Sequence, residues 1–139
     1  MEQPNILIID AQGGGIGRQL VAAVRQELPK AVITAAGTNG IATAAMLKAG
    51  ADRGATGENA VVVACRGADV ILGPVGIVIA DAMLGEITPR MAVAVAQSRA
   101  KRILIPFDHC DNIIVGVTGG SMKALVKEAV SVLLEAVRR

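Results

Sequence analysis

The stretch NILIIDAQGGGIGRQL, residues 5–20, decides the fold because it passes from an apolar strand through a glycine-rich loop into a helix. Residues 5–10 are almost continuously apolar and end in an aspartate, which predicts a buried strand. The following helix has an apolar residue at every fourth position, at Ile16, Leu20, Val24 and Leu28. Four glycines stand within residues 13–17, and each costs up to about 1 kcal/mol in a helix relative to alanine. So many glycines at a helix start indicate that the backbone leaves room for another group.

A glycine-rich turn between a strand and a helix is typical of phosphate-binding loops. The N–H groups at the start of a helix carry partial positive charge, and glycine lets an anion come close enough to accept their hydrogen bonds. We therefore predict that the loop holds a nucleotide or another phosphate-bearing small molecule. The predicted binding residues are Gln12, Gly13, Gly14, Gly15, Ile16 and Gly17. The alternative is a tight turn that lets the helix pack closely on the sheet.

The composition indicates one α/β domain over residues 1–139. Hydrophobic residues make up 53% of the chain and charged residues 19%, which excludes a disordered protein. Phe107 is the one aromatic residue, so the core is aliphatic, as in parallel sheets covered by helices. A net charge of +2 with scattered basic residues predicts no nucleic-acid partner.

The sequence also predicts the location of the protein and the state of its cysteines. No apolar run approaches about 18 residues and the first residues carry no charged leader, so we expect a cytoplasmic protein without a membrane partner. Cys65 and Cys110 have no paired spacing, which predicts reduced thiols and no metal site.

Strand and helix patterns alternate along the chain. Predicted strands cover residues 5–10, 31–36, 69–73 and 102–106, and predicted helices cover residues 16–28, 41–49, 58–66, 76–84, a segment begun by Thr88 and Pro89, and 121–137. Residues 50–60, GADRGATGENA, are predicted as a long surface loop that runs into the third of these helices, or as a second anion site with backbone N–H groups at Thr56 and Gly57 and a charge from Arg53. This alternation predicts a single doubly wound, Rossmann-like domain with the first strand at the centre of a mostly parallel sheet.

Residues 112–117 form one more apolar run, which predicts a fifth strand. About five residues separate this run from the fourth strand, whereas a parallel crossover needs about a dozen. We therefore expect an antiparallel edge strand.

Ligands of such sheets bind beyond the carboxyl ends of the strands, which gives two further candidate contacts. Thr38 and Asn39 follow the second strand and are predicted to contact a ribose or base, although capping of the next helix explains them equally well. An acid usually binds the ribose of NAD at that position, and none stands there. Gly73, Pro74 and Gly76 follow the third strand, where they either let a cofactor pass closely or form a tight turn.

Two segments have weaker functional interpretations. Asp108, His109 and Cys110 are weak catalytic candidates, because a histidine and a thiol between acids could act in acid–base or nucleophilic chemistry. Adjacent residues of an extended segment point in opposite directions, so a polar turn explains them as well. Glu86 lies between the predicted end of one helix and the predicted start of the next. We expect it to belong to that connection rather than to contact a ligand.

The loop AQGGGIG, residues 11–17, resembles the cofactor loop of short-chain dehydrogenases, whose pattern is Gly-x-x-x-Gly-x-Gly. Ala11 takes the first glycine position, and Gly15 and Gly17 match the other two. The resemblance implies NAD(P) or another nucleotide as cofactor. It does not imply hydride chemistry, because that family's catalytic tyrosine cannot exist in a chain without tyrosine.

Over nearly its whole length the chain is similar to a small bacterial family known only as a domain of unknown function. The similarity rests on six blocks: AQGGGIG, GTN, ATAAMLKAGA, GATGENA, LGEITP and ILIP. It implies a Rossmann-like fold and assigns no activity or site.

Three apolar helix segments predict a homo-oligomer, most simply a dimer. They are AVVVAC at residues 60–65, MAVAVA at 91–96 and AVSVLLEAV at 129–137, and they exceed what a small domain buries. We place the interface on 91–96 and the last helix.

The predicted function is nucleotide or dinucleotide binding. The alternatives are an oxidoreductase or transferase that uses Asp108–Cys110, and a structural or regulatory subunit without ligand.

Overall fold

A computed structural model describes residues 3–107, 112–117 and 120–138. In chain order its elements are β1 (Asn5–Asp10), α1 (Gly15–Glu27), β2 (Val32–Gly37), α2 (Gly40–Lys48), β3 (Arg53–Thr56), α3 (Glu58–Gly67), β4 (Val70–Pro74), a 3₁₀ helix (Val75–Val78), α4 (Pro89–Gln97), β5 (Lys101–Ile105) and α5 (Met122–Val137). No helix in these ranges is both long enough and apolar enough to cross a membrane.

The five strands form one sheet in the order β3-β2-β1-β4-β5, and every pairing is parallel. This is the order of the first five strands of a Rossmann fold, with β1 at the centre as predicted. The side chains of β1 alternate between two aliphatic cores. Ile6 and Ile8 pack with α1, α2 and α5 on one face, and Leu7 and Ile9 pack with α3 and α4 on the other. Burial on both faces explains why β1 is almost continuously apolar.

The predicted antiparallel strand at residues 112–117 is wrong. Val117 donates its N–H to the Ile114 carbonyl, 3.3 Å away, and Gly116 has a φ of +89°. The segment therefore turns back on itself instead of pairing with β5. Ile113 and Val115 are 90% and 94% exposed, so an apolar run here does not mark a buried strand.

A short edge strand lies where the sequence predicted only a loop. The residues of β3 (Arg53–Thr56) are all exposed, so they carry no apolar signal. Asp52 positions this strand: its Oδ2 accepts from the Ile33 N–H at 2.7 Å and from the Arg25 guanidinium at 2.6 Å. The same two donors hold the pKa of Asp52 below its usual range, the Ile33 N–H most strongly. Contacts between distant residues, rather than local pattern, define β3.

The segment of residues 79–87 replaces the predicted helix over 76–84. Only Val75–Val78 are helical, as one 3₁₀ turn. Asp81, Met83 and Leu84 have φ values of +67°, +56° and +58°, which non-glycine residues adopt only at an energetic cost. The predicted restart is confirmed, because the Thr88 hydroxyl accepts from the Met91 N–H at 3.2 Å. Residues 79–87 therefore cross the carboxyl edge of the sheet in a strained path.

Candidate functional site

The loop after β1 lies where the strand order reverses, between β1 and β4. Crevices at such a switch point bind the ligands of parallel α/β sheets. A cavity of about 310 Å³ opens there, lined by the loop and the start of α1 and, across from them, by Met83, Phe107 and Met122. The loop, the start of α1 and residues 79–87 therefore surround the candidate site.

Two larger hollows lie along α3 on the other face of the sheet. One of about 490 Å³ is lined by Asn5, Gly67 and Ala68, among others, and so lies toward the amino ends of the strands. The other, of about 440 Å³, lies between α3 and α4. Neither is lined by the loops after β1 and β2. Position at the carboxyl edge therefore favours the smaller cavity.

The carboxylate of Asp10 occupies the start of α1. It is buried at the end of β1, where its Oδ1 accepts from the Ala11 N–H at 2.8 Å and its Oδ2 from the Gly17 N–H at 2.6 Å. The Ile16 N–H is a third donor. Burial raises the pKa of Asp10 above its usual range although these three donors oppose the rise. An internal anion thus already uses the positive end of the helix.

This arrangement leaves few amides of the loop for a ligand. The N–H of Gln12 donates to a carboxylate from residues 79–87, and that of Gly14 donates to the Ala11 carbonyl at 3.0 Å. The N–H groups of Gly13 and Gly15 have no acceptor among the described residues. A phosphate in the cavity would therefore use these two amides rather than those of Ile16 and Gly17, which donate to Asp10.

Two of the loop glycines are required by the fold. Gly14 has a φ of +75°, and a Cβ on it would lie 2.9 Å from the Ala42 Cα. A Cβ on Gly17 would lie 2.6 Å from the Met46 sulfur. Both distances are too short for real side chains, so close packing of α1 explains these positions.

Packing does not explain the other two glycines. A Cβ on Gly13 or Gly15 would meet no atom within 4 Å, and neither residue has a positive φ. Both residues line the 310 Å³ cavity. A side chain at either position would fit the fold and would project into space that a ligand could occupy.

Glu86 joins the loops that follow β1 and β2. Its Oε1 accepts from the Gln12 N–H at 2.9 Å, the Thr38 hydroxyl at 2.6 Å and the Asn39 amide at 2.9 Å. Partial burial acts to raise the pKa of Glu86, but these three donors together hold it below its usual range. Glu86 therefore holds the loops after β1 and β2 together, a structural role that reaches beyond the two neighbouring helices to which the sequence assigned it. It lies beside the 310 Å³ cavity and does not line it.

Asn39 both caps the next helix and lies beside the loop after β1, the two roles that the sequence left open. Its Oδ1 caps α2 by accepting from the Ala42 N–H at 2.9 Å. Its Nδ2 donates to the Gln12 carbonyl and to Glu86, each at 2.9 Å. Thr38 and Asn39 thus lie beside the loop after β1, as the sequence predicted, but a carboxylate of the chain already holds their polar groups.

The turn after β4 is packed against the protein. A Cβ on Gly73 would lie 2.5 Å from the Ile9 carbonyl oxygen, and one on Gly76 would lie 3.0 Å from the Met83 Cε. Gly73, Pro74 and Gly76 are buried and do not line the cavity. Their contact with a ligand stays a prediction.

The catalytic candidates Asp108, His109 and Cys110 lie outside the described residues, so their role stays a prediction. Cys65 is buried in α3, where burial raises the pKa of its thiol to about 11 and keeps it protonated at neutral pH. Within the ranges that the structure describes, no three His, Cys, Asp or Glu side chains lie together as metal ligands.

The family model "Domain of unknown function (DUF3842)" matches residues 5–138, and the chain belongs to this family. No curated protein matches the chain. A solved structure with a similar fold is the crystal structure of a dodecameric FMN-dependent UbiX-like decarboxylase from Escherichia coli O157:H7. It is 14% identical, with 96% of this chain and 94% of that one covered and a TM-score of 0.46. Similarity of this extent carries no inference about ligand or assembly. The likeness of the loop to short-chain dehydrogenases stays a prediction.

Replacement by alanine should change the free energy of unfolding differently at the two kinds of loop glycine. We expect Gly14→Ala to lower the free energy of unfolding by about 2 kcal/mol or more, through its positive φ and the contact with Ala42. Gly13→Ala should leave stability unchanged or raise it by up to about 1 kcal/mol. Urea denaturation measures both. Equal losses in the two variants would show that packing explains the whole loop.

Proposed function

We propose that this member of the DUF3842 family binds a nucleotide or dinucleotide at the carboxyl edge of its sheet. One observation carries the proposal: Gly13 and Gly15 line the cavity at the switch point although a side chain would fit at both. Their N–H groups have no acceptor among the described residues and would bind the phosphates. A ligand that needs close approach to the backbone explains why glycine stands at both positions.

Asp10 restricts the kind of phosphate that the site would take. Its carboxylate lies at the start of α1 and lines the same cavity as Gly13 and Gly15, where it disfavours further negative charge. The two charges of a dinucleotide are spread over two linked phosphates, whereas a terminal monophosphate carries nearly two charges on one group at neutral pH. We therefore favour a dinucleotide such as NAD(P) over a nucleoside monophosphate.

The apolar lining of the cavity suits the ring system at one end of a dinucleotide. Ile16, Met83, Phe107 and Met122 line it with apolar side chains, two of them flexible thioethers that pack well against flat rings. Its volume of about 310 Å³ lies at the lower end for small-molecule sites. It would enclose one ring system rather than a whole dinucleotide, with the remainder lying over the loop toward β2.

Thermal denaturation with AMP, ATP, NAD, NADP, FAD and coenzyme A tests the proposal. At about one hundred times its Kd, a ligand adds about 2.7 kcal/mol of stability, which raises the Tm of a chain of this length by roughly 9 °C. Gly15→Asp should abolish the shift, because its carboxylate would lie in the cavity and repel the phosphate. The variant should fold, since an acid in the first turn of a helix is favourable.

Gly67→Asp is the matched control, because a Cβ on Gly67 also meets no atom within 4 Å. Gly67 ends α3 and lines the 490 Å³ hollow, so this variant should keep the full shift. A shift lost in Gly67→Asp and kept in Gly15→Asp would place the ligand in that hollow. No shift with any compound would favour a structural or regulatory subunit without ligand.

We further propose that the chain forms a homo-oligomer. Most of the apolar residues in α4 and α5 are buried in the two cores, and these helices lie on opposite faces of the sheet, so a single two-fold interface does not readily use both. The larger exposed apolar side chains are Leu84, Ile113 and Val115, and Leu84 is 97% exposed. Large apolar side chains exposed to this extent are candidates for an interface.

Light scattering at micromolar concentration should therefore give a multiple of the 14.1 kDa monomer mass. Leu84→Asp should lower that mass if residues 79–87 take part in the interface. Val93→Asp should lower it if the exposed face of α4 takes part instead. A monomeric mass for the unmodified protein contradicts the proposal.

A further inference from the structure

The end of β2 lacks the acid that Rossmann domains usually place there. In dinucleotide-binding sheets that acid accepts hydrogen bonds from the ribose hydroxyls, and an arginine replaces it where the ribose carries a 2′-phosphate. This chain has Thr38 and Asn39 after β2 and neither an acid nor an arginine directly beside them. The structure nevertheless brings a carboxylate to both side chains, from a segment 48 residues beyond Thr38.

We propose that Glu86 is the ribose-binding residue of this site and that it selects nucleotides without a 2′-phosphate. The inference rests on the proposed nucleotide binding and names what determines specificity within it.

The hydrogen bonds of Glu86 fix the carboxylate in place. All three donors reach its Oε1, at 2.6 to 2.9 Å, and no described residue donates to its Oε2. One oxygen therefore anchors the side chain while the other is available to accept from a hydroxyl. A carboxylate held in this way accepts hydrogen bonds without a further loss of side-chain freedom.

Gln12 connects this carboxylate to the phosphate-binding amides. Its N–H donates to Glu86, and the same residue lines the cavity next to Gly13. The ribose of a nucleotide is joined to its phosphate through one methylene group. With its phosphate on the Gly13 and Gly15 amides and its ribose directed toward β2, a nucleotide would bring the ribose hydroxyls close to Gln12 and Glu86.

The charges around Glu86 oppose a 2′-phosphate. Among the described residues no lysine or arginine forms an ion pair with Glu86, and the nearby Asp10 adds a second negative charge. Hydrogen bonding lowers the pKa of Glu86, so it is ionised at neutral pH. A 2′-phosphate would face two acids, neither of which forms an ion pair with a described basic residue.

The backbone before Glu86 supports a functional role. Asp81, Met83 and Leu84, none of which is a glycine, all hold positive φ values. Strain of this kind persists where surrounding contacts over-determine a conformation, and it is frequent in ligand sites. Here it delivers one carboxylate to the end of β2.

The experiment measures the Kd of NAD and NADP by calorimetry for the unmodified protein, Glu86→Gln and Glu27→Gln. Glutamine is isosteric and its oxygen accepts from the same three donors, so the fold is retained while the charge is lost. The unmodified protein should prefer NAD at least tenfold. Glu86→Gln should weaken NAD about tenfold and should not weaken NADP, since a hydrogen bond to a charged group is worth about that factor. Glu27 lies at the other end of α1, about 18 Å away along the helix, and Glu27→Gln should behave as the unmodified protein.

Three outcomes overturn the inference while nucleotide binding stands. They are an unmodified protein that prefers NADP, a Glu86→Gln variant with both Kd values unchanged, and a Glu86→Gln variant that binds both ligands more tightly by the same factor, which would mean that ligands must displace Glu86. The first needs no variant, so the inference stays testable if Glu86→Gln does not fold. Binding of neither ligand, with no shift from any other nucleotide, overturns the proposed function and this inference together.

Discussion

The hydrogen bonds that Asp10 accepts from the backbone hold the candidate site together. Because β1 ends in a carboxylate that binds the N–H groups of Ala11, Ile16 and Gly17, the chain must turn tightly before α1 can begin. That turn needs a left-handed residue at Gly14 and lets α1 approach the sheet at Gly17. The burial that raises the pKa of Asp10 is the cost of placing a charge there, and three N–H donors offset it.

A second carboxylate completes the edge. Glu86 takes the N–H of Gln12 and the polar groups of Thr38 and Asn39, so the loops after β1 and β2 are joined by residues 79–87. Asp10 and Glu86 lie beside the loop, and neither forms an ion pair with a described basic residue. The candidate site therefore combines free amides with negative side chains. Such a site suits a weakly charged phosphate flanked by hydroxyl groups better than a highly charged one.

The sequence predicted those parts of the structure that depend on local pattern. The apolar run of β1 and the fourfold spacing of α1 identified the central strand and its helix, because burial on both faces leaves a clear periodic signal. β3 was missed because its residues are exposed and it depends on Asp52 and Arg25. Residues 112–117 were misassigned because an apolar run without a partner strand has the same composition as an edge strand. The contact between Glu86 and the loop after β1 was missed because Gln12 lies 74 residues away, and no local pattern shows such a contact.

Asp10 occupies the N–H groups of Ile16 and Gly17 and leaves those of Gly13 and Gly15 to the ligand. An amide-resolved NMR titration of the ¹⁵N-labelled protein with NAD tests it most directly. The account predicts that the amide resonances of Gly13 and Gly15 move most, while those of Ile16 and Gly17 keep their positions because their N–H groups stay bound to Asp10. Movement of Gly17 equal to that of Gly15 would show that the phosphate displaces Asp10, and unmoved resonances at both Gly13 and Gly15 would place the ligand elsewhere.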